Sequence, residues 1–166
     1  MKNYFFILCA TGIILNSCGY QALSPSLGKG QTIWVPTATN DSRWRHLEAE
    51  LTHQLRESLK THLDIQINNK NPDLTLSTHL TSVGRNSALS GRQGTVLASK
   101  ANLLIEWNLK KIDGTNVANG TCTREMEFSP HNREEVHIAF NKLITDIAEQ
   151  ISLEIGNSMQ PHAITH

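Results

Sequence analysis

Cysteine is scarce in this sequence, in which Cys9, Cys18 and Cys122 are the 3 cysteines among 166 residues. Small domains that depend on disulfides need an even set of paired cysteines. Cys9 and Cys18 lie in or next to an N-terminal apolar run, so Cys122 is alone in the rest of the chain. The sequence therefore excludes a disulfide-stapled scaffold, and the domain must be stabilised by its hydrophobic core.

An excess of charge is also absent, since 15 lysine and arginine residues balance 15 aspartate and glutamate residues. Bulk nucleic-acid binding usually requires a strongly basic face, which this balance does not indicate. The sequence also contains neither a Gly-x-Ser-x-Gly nucleophile elbow nor a Gly-rich phosphate-binding loop. We therefore assign no catalytic residue and expect a protein that is not an enzyme.

Long apolar runs are confined to the N-terminus. Residues 4–15 form an apolar stretch behind Lys2, and this stretch is shorter than the roughly 20 residues that a membrane-spanning helix needs. A short apolar stretch behind a positive charge is typical of a signal peptide. No apolar run of spanning length follows Cys18. We therefore interpret residues 1–17 as a cleavable signal peptide.

The residues Leu15-Asn16-Ser17-Cys18 resemble the lipobox of bacterial lipoproteins. In that motif the cysteine thiol is acylated, the peptide is cut before the cysteine, and the new amine receives a fatty acid such as palmitate. Several acyl chains anchor a protein firmly, whereas one chain binds a membrane only marginally. We predict a covalent lipid on Cys18 and a Ser-, Pro- and Gly-rich tether over residues 18–30. An ordinary secretory peptide and an uncleaved anchor are the alternatives.

Hydrophobic periodicity predicts one domain over residues 31–156. Leucines recur every four residues from Leu47 to Leu59, which predicts a helix over residues 42–62. The residues available to cap its N-terminus are Asn40, Asp41 and Ser42. A second apolar stripe predicts a helix from Ser129-Pro130 to Gly156, followed by a flexible tail over residues 157–166. Alternating apolar and polar residues predict strands over residues 31–36, 63–67, 74–83, 101–110 and 117–128.

These elements predict the fold class. Strands with one apolar face and helices with one apolar stripe bury both by stacking into two layers. We expect an α+β two-layer sandwich, in which two helices pack on one face of a mostly antiparallel sheet of four to five strands. The expected order of the elements is β-α-β-β-β-β-α.

The chain resembles the LptE family of lipopolysaccharide-assembly lipoproteins in the order of several short motifs. These motifs are Cys18-Gly19-Tyr20, the strand Thr32-Ile33-Trp34-Val35-Pro36, a polar turn with Asn40, the helix start Leu47-Glu48-x-x-Leu51-Thr52, the segment Asp73-Leu74-Thr75-Leu76 and the final helix. The resemblance implies a non-catalytic domain without a cofactor, lodged inside a large β-barrel partner, LptD. It also implies that the pair moves lipopolysaccharide to the outer leaflet, with this chain acting as plug, assembly factor and lipopolysaccharide-binding surface.

The residue after Cys18 predicts the membrane in which the lipid resides. Gly19 stands there rather than an aspartate. Under the usual sorting rule for lipoproteins, that permits export to the outer membrane. We therefore expect an outer-membrane protein that is lipid-anchored on the periplasmic side.

Four basic residues are candidates for lipopolysaccharide binding. Arginine binds phosphate groups, such as those of lipid A, in bidentate fashion. The resemblance implies that basic residues at the sheet end and in the connection over residues 84–94 contact lipopolysaccharide. Arg92 lies closest to that position, with Arg85 and Lys100 nearby. A solvated hairpin tip with ordinary surface charge is the alternative.

Arg124 is the fourth candidate, because alternation places it on the apolar side of its strand, between Cys122 and Met126. A buried unpaired arginine would cost several kcal/mol. We therefore expect it to be paired, to lie at the sheet edge or to follow a bulge. A contact with ligand or barrel is the alternative.

Metal binding has weak support. His46, Glu50 and His53 share one face of the first predicted helix, where they could touch a metal ion. No further ligand is evident in the sequence, so we favour a solvated polar face and predict no metal site.

Two other functions remain open from the sequence. One is a different outer-membrane assembly or pilot lipoprotein that acts as a structural interaction module. The other is a periplasmic lipid- or glycan-processing enzyme, which would need polar residues that converge in a pocket.

Overall fold

The computed structural model of the protein describes residues 28–90, 96–129 and 133–160. Within these ranges the elements are β1 Thr32–Trp34, β2 Thr39–Asn40, α1 Leu47–Leu63, β3 Gln66–Ile67, β4 Leu74–Ser90, β5 Val96–Lys111, β6 Asn116–Phe128 and α2 Arg133–Met159. The predicted signal peptide and Gly19-Tyr20 lie outside the described residues.

One six-stranded sheet contains every described strand, in the order β3-β1-β4-β5-β6, with β2 paired to β4 beside this path. The long strands β4, β5 and β6 form an antiparallel meander. The short strands β1, β2 and β3 add parallel pairs. The predicted α+β fold, with two helices on a mostly antiparallel sheet, is confirmed, and β2 is a strand that the sequence did not predict.

The alternation of apolar and polar residues along the long strands determines which face of the sheet is buried. Leu76 and Leu80 of β4, with Leu103 and Ile105 of β5, are fully buried. The leucine stripe of α1 and the isoleucine stripe of α2 are buried too, and α1 packs against α2 while α2 packs against β5 and β6. We call this side of the sheet the helix face and the opposite, polar side the open face.

The strands β4 and β5 are both longer than the sequence predicted, since β5 already begins at Val96. The residues after Val83, expected to lie in a connection, continue β4 to Ser90. Arg85 pairs with Ala101 of β5 and Ser87 pairs with Ser99. Ladder pairing with β5 therefore overrides the loop-like Gly and Ser composition of this segment. Residues 91–95 lie outside the described residues.

The first helix begins later than expected, at Leu47. His46 precedes it with a φ of 77° and makes no capping hydrogen bond with its side chain, so the predicted N-caps were wrong. Asn40 instead orders the connecting loop, since its Nδ2 donates to Trp44 O at 2.7 Å and to Glu48 Oε2 at 2.8 Å. The hydrogen bond from Asn40 lowers the pKa of Glu48.

The second helix ends later than expected. It continues through Gly156 to Met159, so the predicted stop at Gly156 was wrong. Ile151 and Ile155 are fully buried, and Met159 packs against the same core. The apolar stripe thus extends one turn further than the glycine suggested. Within the described ranges, neither helix combines the length and the apolar character that a membrane crossing requires.

Gly120 leaves room for the largest side chain on the helix face. It pairs with Trp107 across β5 and β6, and a Cβ there would lie 2.8 Å from Trp107 Nε1 and 2.9 Å from its Cε2. Trp107 is 4% exposed, so its ring has little freedom to move aside. A side chain at this position must therefore displace packed atoms.

We expect Gly120→Ala to destabilise the protein by about 1–3 kcal/mol, the usual range for overpacking. In a Trp107→Phe background the ring is smaller, so the same substitution should cost less. Urea denaturation of the four proteins of this double-mutant cycle measures the difference.

Gly114→Ala is the matched control. Its Cβ meets nothing within 4 Å, but its φ of +85° strains an alanine. It should cost about 1 kcal/mol in both backgrounds. An equal cost of Gly120→Ala in both backgrounds would contradict the steric explanation.

Candidate functional site

The open face of the sheet is concave where the segment between β1 and β2 rises beside β4. The concavity has a volume of about 580 Å³, within the size range of ligand pockets. The residues whose side chains belong to the open face or its rim are Pro36, Thr37, Thr39, Ser77, His79, Glu106, Asn108, Asn119 and Thr121.

Strand register arranges these polar side chains in rows. His79 of β4 lies opposite Glu106 of β5, and Glu106 lies opposite Thr121 of β6. A second row runs from Ser77 through Asn108 to Asn119. Directly opposed side chains on one face of a sheet are neighbours, so each row offers closely spaced polar groups.

His79 is held in place through both of its ring nitrogens. Its Nδ1 lies 2.6 Å from Thr39 Oγ1, and its Nε2 lies 3.0 Å from Asp41 Oδ2. A carboxylate accepts hydrogen bonds and cannot donate them, so the contact with Asp41 requires a proton on Nε2. The imidazole therefore ties β4 to β2 and to the residue that follows β2.

An amide cluster closes the other end of the concavity. With the Asn116 amide oriented to suit its neighbours, its nitrogen donates to Asn108 Oδ1 at 2.9 Å and its oxygen accepts from Asn119 Nδ2 at 2.8 Å. These contacts link β5 to β6 at the turn end of the sheet. The site therefore offers hydroxyl, amide, imidazole and carboxylate groups, and its lining among the described residues includes no lysine or arginine.

Lys100, one of the four predicted lipopolysaccharide-binding residues, lies on the open face away from this concavity. Its Nζ is 3.1 Å from Glu125 Oε1 and 3.9 Å from Glu127 Oε1. The hydrogen bond to Glu125, reinforced by the charge of that carboxylate, raises the pKa of Lys100. Two carboxylates thus already compete with any anionic ligand for this ammonium group.

Arg85 and Arg124 lie on the helix face instead. The Arg85 guanidinium carbon lies 5.5 Å from the centre of the Phe128 ring, a cation–π distance. Arg124 lies opposite Leu103, is exposed on the edge strand β6, and donates from Nη1 to Thr123 O at 3.1 Å. Its predicted place on the apolar side at the sheet edge agrees with this geometry.

The structure therefore brings Arg85 and Arg124 to one face and places Lys100 on the other. Cys18 and Arg92 lie outside the described residues, so lipidation and the role of Arg92 stay predictions. Among residues 28–90, 96–129 and 133–160, no group of three or more His, Cys, Asp or Glu side chains is arranged to hold a metal ion.

Sequence reasoning did not single out the His79 cluster as a site. Alternation correctly placed His79 on the polar side of its strand. The contact with Asp41 joins residues from different elements, and it depends on the unpredicted pairing of β2 with β4. No local pattern in the sequence marks that contact.

Cys122 is a free cysteine on the helix face, where it is 1% exposed. Burial, with a smaller contribution from the charge of Glu154, raises its pKa to about 11. Trp107 and the charge of Arg124 lower the pKa of Cys122, but by less than burial raises it. The thiol is therefore a protonated core group.

We expect Cys122 to resist alkylation in the folded protein. The thiolate is the reactive form, and with a pKa of about 11 roughly one thiol in a thousand is ionised at pH 8. Iodoacetamide labelling with peptide mapping should show Cys122 unmodified until urea is added. Rapid labelling of the native protein would contradict a buried, protonated thiol.

The raised pKa of Cys122 also predicts how the stability of the protein changes with pH. The unfolded thiol ionises near its ordinary pKa of 9.0, whereas the folded thiol holds its proton until about 11. Its contribution to stability is therefore complete below pH 9 and is lost as the pH rises towards 11. Cys122→Ala should remove this part of the alkaline destabilisation.

Comparison of the sequence with known protein families gives a match over most of the domain. The sequence model of the family described as LptE, lipopolysaccharide-assembly, matches residues 30–157. No curated protein sequence matched the chain.

Solved structures share the fold at low sequence identity. A protein from Xanthomonas campestris has a TM-score of 0.63 at 12% identity, covering 77% of this chain and 85% of that one. Lipoprotein B from Nitrosomonas europaea, described as uncharacterized, has a TM-score of 0.50 at 13% identity, covering 82% and 91%. A hypothetical protein from Chlamydia trachomatis has a TM-score of 0.54 at 5% identity, covering 78% and 97%. These likenesses concern the fold alone.

Proposed function

We infer that this chain, which belongs to the LptE family of lipopolysaccharide-assembly proteins, is an outer-membrane lipoprotein that partners an LptD-like β-barrel. It acts as plug and assembly factor for that barrel and helps to deliver lipopolysaccharide to the outer leaflet. Its lipid on Cys18 anchors it on the periplasmic side. The proposal includes no catalytic residue and no cofactor.

The family match is the observation that carries this proposal. It runs from residue 30 to residue 157 and so includes every described strand and nearly all of α2. The match is thus to the whole two-layer domain rather than to one motif. The predicted tether over residues 18–30 ends where the matched domain begins, which suits a domain that hangs from a lipidated cysteine.

The open face supports the proposal chemically. A polar surface of hydroxyl, amide, imidazole and carboxylate groups can exchange its water for hydrogen bonds to a protein wall. The same side chains lie on a meander whose other face is closed by the helices. A domain built in this way can dock inside a larger protein without exposing its own core.

We expect the full-length protein, purified from membranes of its source cell, to bring with it one large β-barrel protein. Mass spectrometry of the co-purified material identifies the barrel. Cys18→Ala removes the acylated thiol, so this variant should leave the outer-membrane fraction. Recovery without any barrel, or with secretion or cell-wall components instead, would overturn the proposal and favour another assembly or pilot lipoprotein.

Binding of purified lipopolysaccharide should depend on Arg92. A hydrogen bond to a charged group contributes about 1.5–3 kcal/mol, so Arg92→Ala should weaken binding about tenfold or more. Lys100→Ala should have a smaller effect, because Glu125 and Glu127 already engage the ammonium group. Arg85→Ala and Arg124→Ala test the remaining candidates.

Arg45→Ala is the matched control, because Arg45 is an exposed arginine in the loop before α1. It should leave binding unchanged. Equal binding by the wild type and Arg92→Ala would remove Arg92 from the site.

A further inference from the structure

The two edges of the sheet differ greatly in length. One edge strand, β3, has 2 residues, whereas the other, β6, has 13. An edge strand presents unpaired N–H and C=O groups that can pair with another strand, and shortness is one way in which proteins prevent this. β6 lacks that protection.

Two other protective features, a β-bulge and a proline, are missing from most of β6. Its register with β5 is continuous from Ala118 to Phe128, without a bulge, and it contains no proline. Every second residue of such a strand directs its backbone groups away from the paired strand. Among the described residues β5 is the one strand that pairs with β6. This edge can therefore accept an additional strand.

An apolar groove accompanies the C-terminal half of this edge. It lies between β6 and α2 and has a volume of about 190 Å³. Its apolar lining is Met126, Phe128, Ile138 and Ala139, and its polar lining is Glu127, Ser129, Glu135 and Lys142. Ile138 is 55% exposed, which is unusual for so large an apolar side chain. A strand added to β6 would place its own apolar side chains over this groove.

The charges on β6 indicate what the added strand carries. Lys100 on β5 holds Glu125 and Glu127 on the open face. Arg124 points to the helix face, is exposed, and donates to a neighbouring carbonyl rather than to a carboxylate. On the helix-face side of this edge, Arg124 is therefore an exposed positive charge that pairs with no carboxylate of the described residues, and a carboxylate opposite it would match that charge.

A second copy of the chain does not supply that carboxylate. Opposed residues in adjacent strands share a face of the sheet, and a two-fold axis perpendicular to the sheet, which pairs two β6 strands antiparallel, preserves the faces. The residues of β6 that share the face of Arg124 are Ala118, Gly120, Cys122, Met126 and Phe128. None of them is acidic, so pairing of β6 with itself leaves Arg124 without a counter-charge.

We propose that β6 binds an extended segment of the barrel partner as an added β-strand, with a carboxylate opposite Arg124 and apolar side chains over Met126 and Phe128. This inference rests on the proposed function, because the segment belongs to the barrel. Backbone hydrogen bonds supply affinity, whereas Arg124 and the groove supply specificity.

Hydrogen exchange of the intact complex tests the added strand directly. Peptides that cover β6 should exchange about tenfold or more slowly in the barrel complex than in the isolated full-length protein. Cross-linking from Thr121 or Thr123 identifies the segment that lies beside β6. Arg124→Glu should weaken the complex by about fivefold or more, whereas Arg45→Glu should not. A charge exchange in the barrel segment should then restore affinity.

Each other outcome overturns the proposal in a recognisable way. A complex that forms with unchanged exchange in β6 overturns the added strand and leaves the proposed function standing. Slow exchange in the isolated monomer shows that β6 is covered by its own chain, and slow exchange that depends on protein concentration shows a second copy. Failure to recover any barrel overturns both proposals.

Discussion

Burial of one face of the long meander β4-β5-β6 beneath two helices is the interaction on which the rest of the structure depends. Leu76, Leu103, Ile105 and Phe140 are fully buried there, and each such side chain contributes about 1.5–3 kcal/mol by leaving water. The single cysteine of the described region, Cys122, is a protonated member of this core. No disulfide therefore supports the described part of the domain, and its stability depends on side-chain packing, such as that of Trp107 against Gly120.

Because only one face of the sheet is buried, the residues that stabilise the fold differ from those that can contact a partner. The helix face is occupied by the core, so polar side chains can vary on the open face without loss of apolar burial. Ion pairs there, such as those of Lys100, fix the rotamers of surface groups more than they stabilise the fold. The edge strand β6 belongs to both regions, because its inner side packs under α2 while its backbone faces outward.

The sequence predicted those parts of the fold that depend on local periodicity. The leucine stripe of α1 and the alternation of β4 and β5 identified the elements, and the family resemblance is confirmed by the match over residues 30–157. The local sequence pattern gave wrong element bounds where tertiary contacts determine the structure. Residues after Val83 have loop-like composition but pair with β5. The first helix begins after His46, which has a left-handed backbone, and Asn40 orders the loop before it instead of capping the helix. The contact of His79 with Asp41 likewise requires the fold, and the positions of Arg85 and Lys100 on opposite faces follow from register.

We propose that this protein is a component of lipopolysaccharide assembly and that its domain works at the outer membrane. The most direct measurement is the amount of lipopolysaccharide on the cell surface after the protein is depleted from its source cell. Surface lipopolysaccharide should fall, and expression of the wild-type chain, but not of Cys18→Ala, should restore it. Unchanged surface lipopolysaccharide in fully depleted cells would contradict the account.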